Sequence, residues 1–247
     1  MAGKRNRVTL LVTCEHGGNR IPAQYQPLFA KYRGALESHR GYDPGALALA
    51  RDFAKTFHAE LVYSTTSRLL VELNRSPNHP QIFSEATRRL PPEERERLLK
   101  RYYAPYRSAV GARVSSAIQS GGRVLHLSSH SFTPRLDGID RRADLGLLYD
   151  PRRTAELRFC LAWQREIEAA KPQLVVRRNY PYRGSGDGLT THLRRLHSDA
   201  HYAGIELEVN QKYPLGDAVA WRALRILLVA TLARALTSHG GPLLKIS

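Results

Sequence analysis

The chain has 247 residues, with 38 Lys and Arg against 22 Asp and Glu, a formal charge of +16 with histidine neutral. Apolar residues make up 42% and charged residues 24%, a balance that excludes a disordered, collagen-like or disulfide-stapled chain. Two cysteines, Cys14 and Cys160, are too few for a disulfide framework and point to a reducing compartment. The basic Met1–Arg7 is followed by only a short apolar run, Val8–Val12, and Leu224–Leu236 is interrupted by Arg225 and Arg234. Neither a secretory signal nor a membrane span is expected, and the reading is a cytoplasmic protein with a single domain over residues 1–247.

Val8–Cys14 reads as a buried strand ending at Glu15-His16-Gly17-Gly18. Asp43-Pro44 has the pattern of an N-cap followed by proline at the first helical position, opening a helix to about Phe57. Glu60–Thr65 and Leu69–Leu73 read as strands. Pro91–Gln119 is a long helical pattern in which Pro105 predicts a break, and Gly121-Gly122 ends it. Arg123–Ser129 and Leu145–Tyr149 are the next strands. Asp150-Pro151 repeats the cap-and-proline signal and opens a helix to about Ala170; Gln173–Arg177 and Gly204–Val209 are strands, and Asp217–Ser238 is the last helix. This alternation predicts an α/β fold with a mainly parallel or mixed central sheet and helices on both faces. In such sheets the functional site lies beyond the carboxyl ends of the strands.

Several polar groups fall at those ends. His16 follows the first strand, and the glycines after it let backbone approach a ligand. His126, Ser128 and His130 share one face of their strand by period-2 alternation, and Glu206 and Glu208 share one face of theirs. Two histidines and a carboxylate on separate strand ends can form a three-ligand zinc site with an open position for water. The plainer readings stand beside this one: His16 as a turn residue, His130 as a satisfied strand-end histidine, Asp43 as an N-cap, and Glu206 or Glu208 paired with surplus arginine. In Arg68–Arg75, the terminal Asn74-Arg75 offers an amide and a bidentate fork suited to a substrate carboxylate; a surface arginine explains the same pattern. The Asn179–Gly186 loop has the composition of a lid or a specificity wall, or of a plain surface loop.

Taken in order, Cys14-Glu15-His16-Gly17-Gly18, Ile21-Pro22, His39, Asp43-x-Gly45-Ala46, Ser67-Arg68-Leu69, Asn74-Arg75, Tyr103-x-Pro105-Tyr106, His130-Ser131-Phe132-Thr133-Pro134, Asn179-x-Pro181-Tyr182 and Glu206-x-Glu208 resemble the N-formylglutamate amidohydrolase family, over roughly Val8 to Tyr213. The resemblance implies a three-layer fold related to the zinc carboxypeptidases. It implies a hydrolase that cleaves the amide of an N-formyl or N-acyl amino acid with one zinc ion. It further implies His16, Asp43 and His130 as metal ligands, with Glu15 as the alternative third ligand. Glu208 would be the general base supported by Glu206. Asn74, Arg75 and Arg68 would bind substrate, with His39, Asn179 and Tyr182 as further contacts.

On this reading the partner is a small anionic N-acyl amino acid rather than a membrane, and a homo-oligomer is compatible with it. The competing readings are a basic nucleic-acid-binding domain, favoured by the +16 charge but lacking any recognition motif, and a peptide or cell-wall amidase of the same fold.

Overall fold

The computed structural model of the protein describes residues 8–238, so Met1–Arg7 lies outside the described residues. The strands are β1 (Val8–Cys14), β2 (Glu60–Tyr63), β3 (Arg123–Phe132), β4 (Arg135–Leu136), β5 (Ile139–Asp140), β6 (Leu145–Leu148), β7 (Val176–Arg178) and β8 (Tyr202–Asn210). Six of them form one sheet in the order β2-β1-β3-β8-β6-β7, while β4 and β5 form a small hairpin. The pairs β2/β1, β1/β3, β3/β8 and β6/β7 are parallel, and β8/β6 is antiparallel. The sheet is therefore mixed, and its direction reverses at β6.

The helices are α1 (Arg33–Leu36), α2 (Ala46–Phe57), α3 (Pro92–Leu98), α4 (Ala104–Gln119), α5 (Thr154–Ala170), α6 (Leu189–Leu196) and α7 (Ala218–Ser238). Three layers result. On one sheet face Leu10, Val12, Leu127, Ile205 and Leu207 pack against α2, α5 and α7 through Phe53, Trp163 and Leu228. On the other face Leu11, Val124 and Tyr202 meet Tyr106 and Val110 of α4 and Leu189 and Leu193 of α6. Both faces are covered, and β1 is accordingly a near-continuous apolar run, whereas β3 and β8 carry buried polar residues on one face.

Pro105 does interrupt the long helical pattern. A π-helical turn, Leu99–Tyr103, separates α3 from α4, and Pro105 sits in the first turn of α4, where its missing N–H costs no helical bond. Leu69–Leu73 is not a strand. It is an irregular segment whose Leu70, Val71 and Leu73 are buried in side clusters, and the Glu72 N–H bonds the Ile82 carbonyl instead of a sheet neighbour. Neither cap-and-proline signal opens its helix directly. α2 starts after Gly45, which has φ of +79°, and α5 starts after Arg153. Asp150 instead caps a local turn by accepting the Arg152 N–H, 3.1 Å. Asp217, by contrast, does cap α7, accepting the Ala220 N–H at 2.7 Å. β3 runs three residues past its predicted end, so His130 stands within the strand.

Candidate functional site

The carboxyl ends of β1, β3 and β8 converge on a cleft of about 590 Å³. His16 enters it from the turn after β1, and His130 from β3. Asp43 enters from the loop before α2, whose Asp43 N–H bonds the His16 carbonyl at 2.9 Å. This bond holds Asp43 beside the turn that carries His16, and its carboxylate faces the two histidines instead of capping the helix. Asp43 Oδ2 lies 2.9 Å from His130 Nδ1 and 3.3 Å from His16 Nδ1, and all three side chains are buried. One ligand atom from each lies within 4.8 Å of the others, a spacing that a single ion can bridge.

The second nitrogen of each histidine is also held by a carboxylate. His16 Nε2 is 2.5 Å from Glu72 Oε1, and His130 Nε2 is 3.1 Å from Glu15 Oε2 and 2.8 Å from Ser128 Oγ. Glu15 accepts further bonds from Ser128, 2.6 Å, and Tyr106, 2.9 Å. It thus stands behind His130 rather than beside Asp43, as its adjacency to His16 on an extended backbone requires. Glu72 was not singled out from sequence. Its signal is an acid inside the apolar run Leu70-Val71-Glu72-Leu73, and the strand reading of that run obscured it.

Burial alone would push these carboxylates up. Bonds from His130 and Ser128 outweigh it at Glu15, His16 and His130 with Arg68 outweigh it at Asp43, and Arg68 with His16 outweighs it at Glu72. All three are held well below the usual carboxylate range. Burial would also lower the histidines, yet Glu72 and Asp43 raise His16, and Asp43 and Glu15 raise His130. Three buried carboxylates thus draw protons onto two imidazoles, and a divalent cation at the Asp43 side would supply the same charge. The donor set, two imidazoles and a carboxylate with acids behind both rings, fits a zinc ion.

Glu208 is the register partner of His130 and shares its face. It is buried, its Oε2 has no hydrogen-bond partner, and burial lifts its pKa to about 8, with Asp43 and Glu206 adding to the rise. Glu206 accepts the Thr190 hydroxyl at 2.6 Å. Asn74 Oδ1 accepts the Leu189 N–H, 2.7 Å, and Arg75 donates to the Asp187 carbonyl, 2.8 Å, so this pair latches the start of α6 while lining the cleft. Arg68 also lines the cleft, but its guanidinium is committed to Asp43 and Glu72 at 3.3 and 2.6 Å.

Tyr182 lines the cleft, whereas Asn179 does not: its Oδ1 accepts the N–H groups of Tyr149 and Gly184, both at 3.0 Å. The Asn179–Gly186 loop is accordingly a pinned wall. It folds back over Gly146, where a Cβ would sit 1.9 Å from the Tyr180 carbonyl. Gly184 rests on β6's end, where a Cβ would sit 2.1 Å from the Tyr149 nitrogen. A larger cavity of about 810 Å³, lined by Phe159, Leu161 and Tyr202 among others, contains none of the candidate residues.

The fold and cleft define an α/β protein with a histidine–carboxylate centre at the carboxyl ends of parallel strands. A structure from Agrobacterium tumefaciens, described as a gene product, is 30% identical, with a TM-score of 0.79, covering 93% of this chain and 90% of that one. An N-formylglutamate amidohydrolase from Ralstonia eutropha JMP134 shares the fold at 22% identity and a TM-score of 0.70, with 92% of each chain covered. No curated protein matches the chain. The model of the N-formylglutamate amidohydrolase family matches residues 8–213, and the chain belongs to that family. It is accordingly a hydrolase of the type that acts on an amide bond.

Proposed function

We propose that the protein is a zinc-dependent amidohydrolase cleaving an N-formyl or N-acyl amino acid, working as one catalytic domain in the cytoplasm. The observation that carries this reading is the buried convergence of His16, Asp43 and His130 next to a carboxylate, Glu208, that has an unpartnered oxygen. Two free, buried cysteines are consistent with a reducing compartment. No helix among the described residues is long and apolar enough to cross a membrane.

His16, Asp43 and His130 would hold the ion. When bound, zinc supplies Lewis-acid polarisation of the acyl carbonyl and eases the ionisation of water. Glu72 and Glu15 fix the two imidazoles by their outer nitrogens. Glu208 accepts the proton of the attacking water and returns it to the departing nitrogen; its pKa, near 8, lies close to a neutral working pH, as this shuttle needs. Arg75 orients the substrate carboxylate, with Asn74 holding the loop that carries it. Glu206, fixed by Thr190, supports the β8 carboxylate pair.

Metal analysis of the purified protein, combined with assays on N-formyl and N-acetyl amino acids, tests the reading. Stoichiometric zinc and loss of both metal and activity in His130→Ala are expected. A folded protein without stoichiometric divalent metal, whose activity survives His130→Ala, overturns it.

A further inference from the structure

The cavity of about 810 Å³ lies at the opposite end of the sheet from the cleft. Val8, Arg123 and Tyr202, which begin β1, β3 and β8, all line it. Arg123 and His130 are seven residues apart on β3, about 23 Å at the rise of an extended strand, so a small molecule bound here does not touch the histidine–carboxylate centre.

The other wall comes from α5. Ala155, Arg158, Phe159, Ala162 and Arg165 line the cavity at the i, i+3, i+4, i+7 and i+10 positions of one helical face. Alanine at two of these positions leaves open a volume that a leucine would fill. Phe159, with Val8, Leu125 and Leu236, makes an apolar floor continuous with the core. Arg123, Arg158 and Arg165 are exposed around it, and among the described residues none of the three pairs with a carboxylate. Asp199, the one acid among the described lining residues, is already engaged: it accepts the Ala155 N–H at 3.2 Å and lies 3.6 Å from Arg153. The cavity is thus a hollow of hydrocarbon with uncompensated positive charge at its rim.

That combination selects an anion with an alkyl tail. A nucleobase or a peptide brings hydrogen-bonding edges that need partners when buried. Besides the arginines and Asp199, the polar side chains lining the cavity are Thr154, His201 and Tyr202, and the Tyr202 hydroxyl is turned away to His126 at 2.7 Å. An alkyl chain asks for no such partner, and a guanidinium fork matches a carboxylate. We propose that this cavity is a second binding site, for a medium-chain alkyl carboxylate, with the tail on the Phe159–Leu236 floor and the carboxylate on Arg158 and Arg165. Its volume is within the range of sites that enclose small molecules. The site is separate from the cleft and needs no metal.

Calorimetric titration of the whole chain with dodecanoate, kept below its micelle concentration, tests the proposal. The wild type should bind dodecanoate about tenfold or more tightly than butyrate, which lacks the tail, and than dodecyltrimethylammonium, which reverses the charge. The double variant Arg158→Met, Arg165→Met changes exposed positions only and should weaken dodecanoate about tenfold or more. Ala162→Trp should weaken it similarly by filling the hollow with the charges left in place. Arg75→Ala, in the cleft, should leave dodecanoate binding unchanged. Dodecanoate binding no tighter than either control ligand overturns the site, and so does binding lost in Arg75→Ala but kept in the arginine double variant. Binding to vesicles of phosphatidylglycerol without binding of monomeric dodecanoate overturns it in favour of a lipid surface.

Discussion

Glu208 and His130 are register partners on adjacent parallel strands, so the carboxylate and the imidazole leave the sheet side by side on one face. The geometry is set by backbone pairing and does not depend on any side-chain bond between them. The face they share continues through Ser128 and His126 on β3 and Glu206 on β8, which makes one polar column inside an otherwise apolar sheet. Different members of that column have different expected effects when altered.

Replacing Glu208 by Gln should reduce kcat by about 10²- to 10⁴-fold, the range of a general acid–base group, without loss of fold. Its effect on stability runs with pH. The folded value of about 8 lies above the ordinary 4.5, so the fold favours the protonated form. Stability is full below pH 4.5 and falls as pH rises through 8. Denaturant melts of metal-stripped protein should show this decline, and Glu208→Gln should flatten it.

Glu15→Gln should leave a folded protein that holds its metal less tightly, by about 10- to 100-fold, because the amide orients His130 more weakly than the carboxylate does. Competition against a chelator of known affinity measures this. Glu72→Gln is expected to act alike through His16. Unchanged metal affinity in both variants would show that these acids serve only packing.

Arg75→Ala should lower kcat/KM on carboxylate-bearing amides by roughly tenfold to a hundredfold, corresponding to about 1.5–3 kcal/mol for a hydrogen bond to a charged group. Arg75 also holds the Asp187 carbonyl, so the variant perturbs the start of α6. Comparison with the amide of the same substrate, in which the carboxylate is capped, isolates the charge effect: Arg75→Ala should change that substrate far less.

His126 tests the buried end of the column. Its ring nitrogens meet Thr13 Oγ1 at 2.8 Å and the Tyr202 hydroxyl at 2.7 Å. Burial drops its pKa to about 4, so the fold favours the neutral ring. Stability should therefore be constant above pH 6.5 and fall as pH drops from 6.5 toward 4, by at most about 3 kcal/mol. Thermal melts across that range, compared with those of His126→Gln, give the His126 share of the slope.

Most strands were legible because β1 is an almost unbroken run of branched and apolar residues, while β3 and β8 keep apolar residues at every second position on the face that packs against α2, α5 and α7. The same signal misled at Leu69–Leu73, where equally apolar residues fill side clusters without a sheet partner, because local composition reports burial and not pairing. His16, His130 and Glu208 were accessible as candidates from their places at or near strand ends, and Asp43 only through the family resemblance. Glu72 and the reversal of direction at β6 were not: the first depends on a loop path, and the second on long-range pairing that no short window encodes. Asp43 had two readings in sequence, and the N-cap reading fails: α2 starts after Gly45, and the Asp43 carboxylate faces His16 and His130.

The close seats at Gly146 and Gly184 bear on how this enzyme can be redesigned. The wall from Asn179 to Gly186 touches β6 backbone to backbone at two points, with no side chain between that could yield. Its length and path are therefore set by the sheet, and insertions or loop grafts here would unseat it. Altered substrate preference has to come from exchanging the outward side chains of Tyr182 and Arg183 on a fixed template.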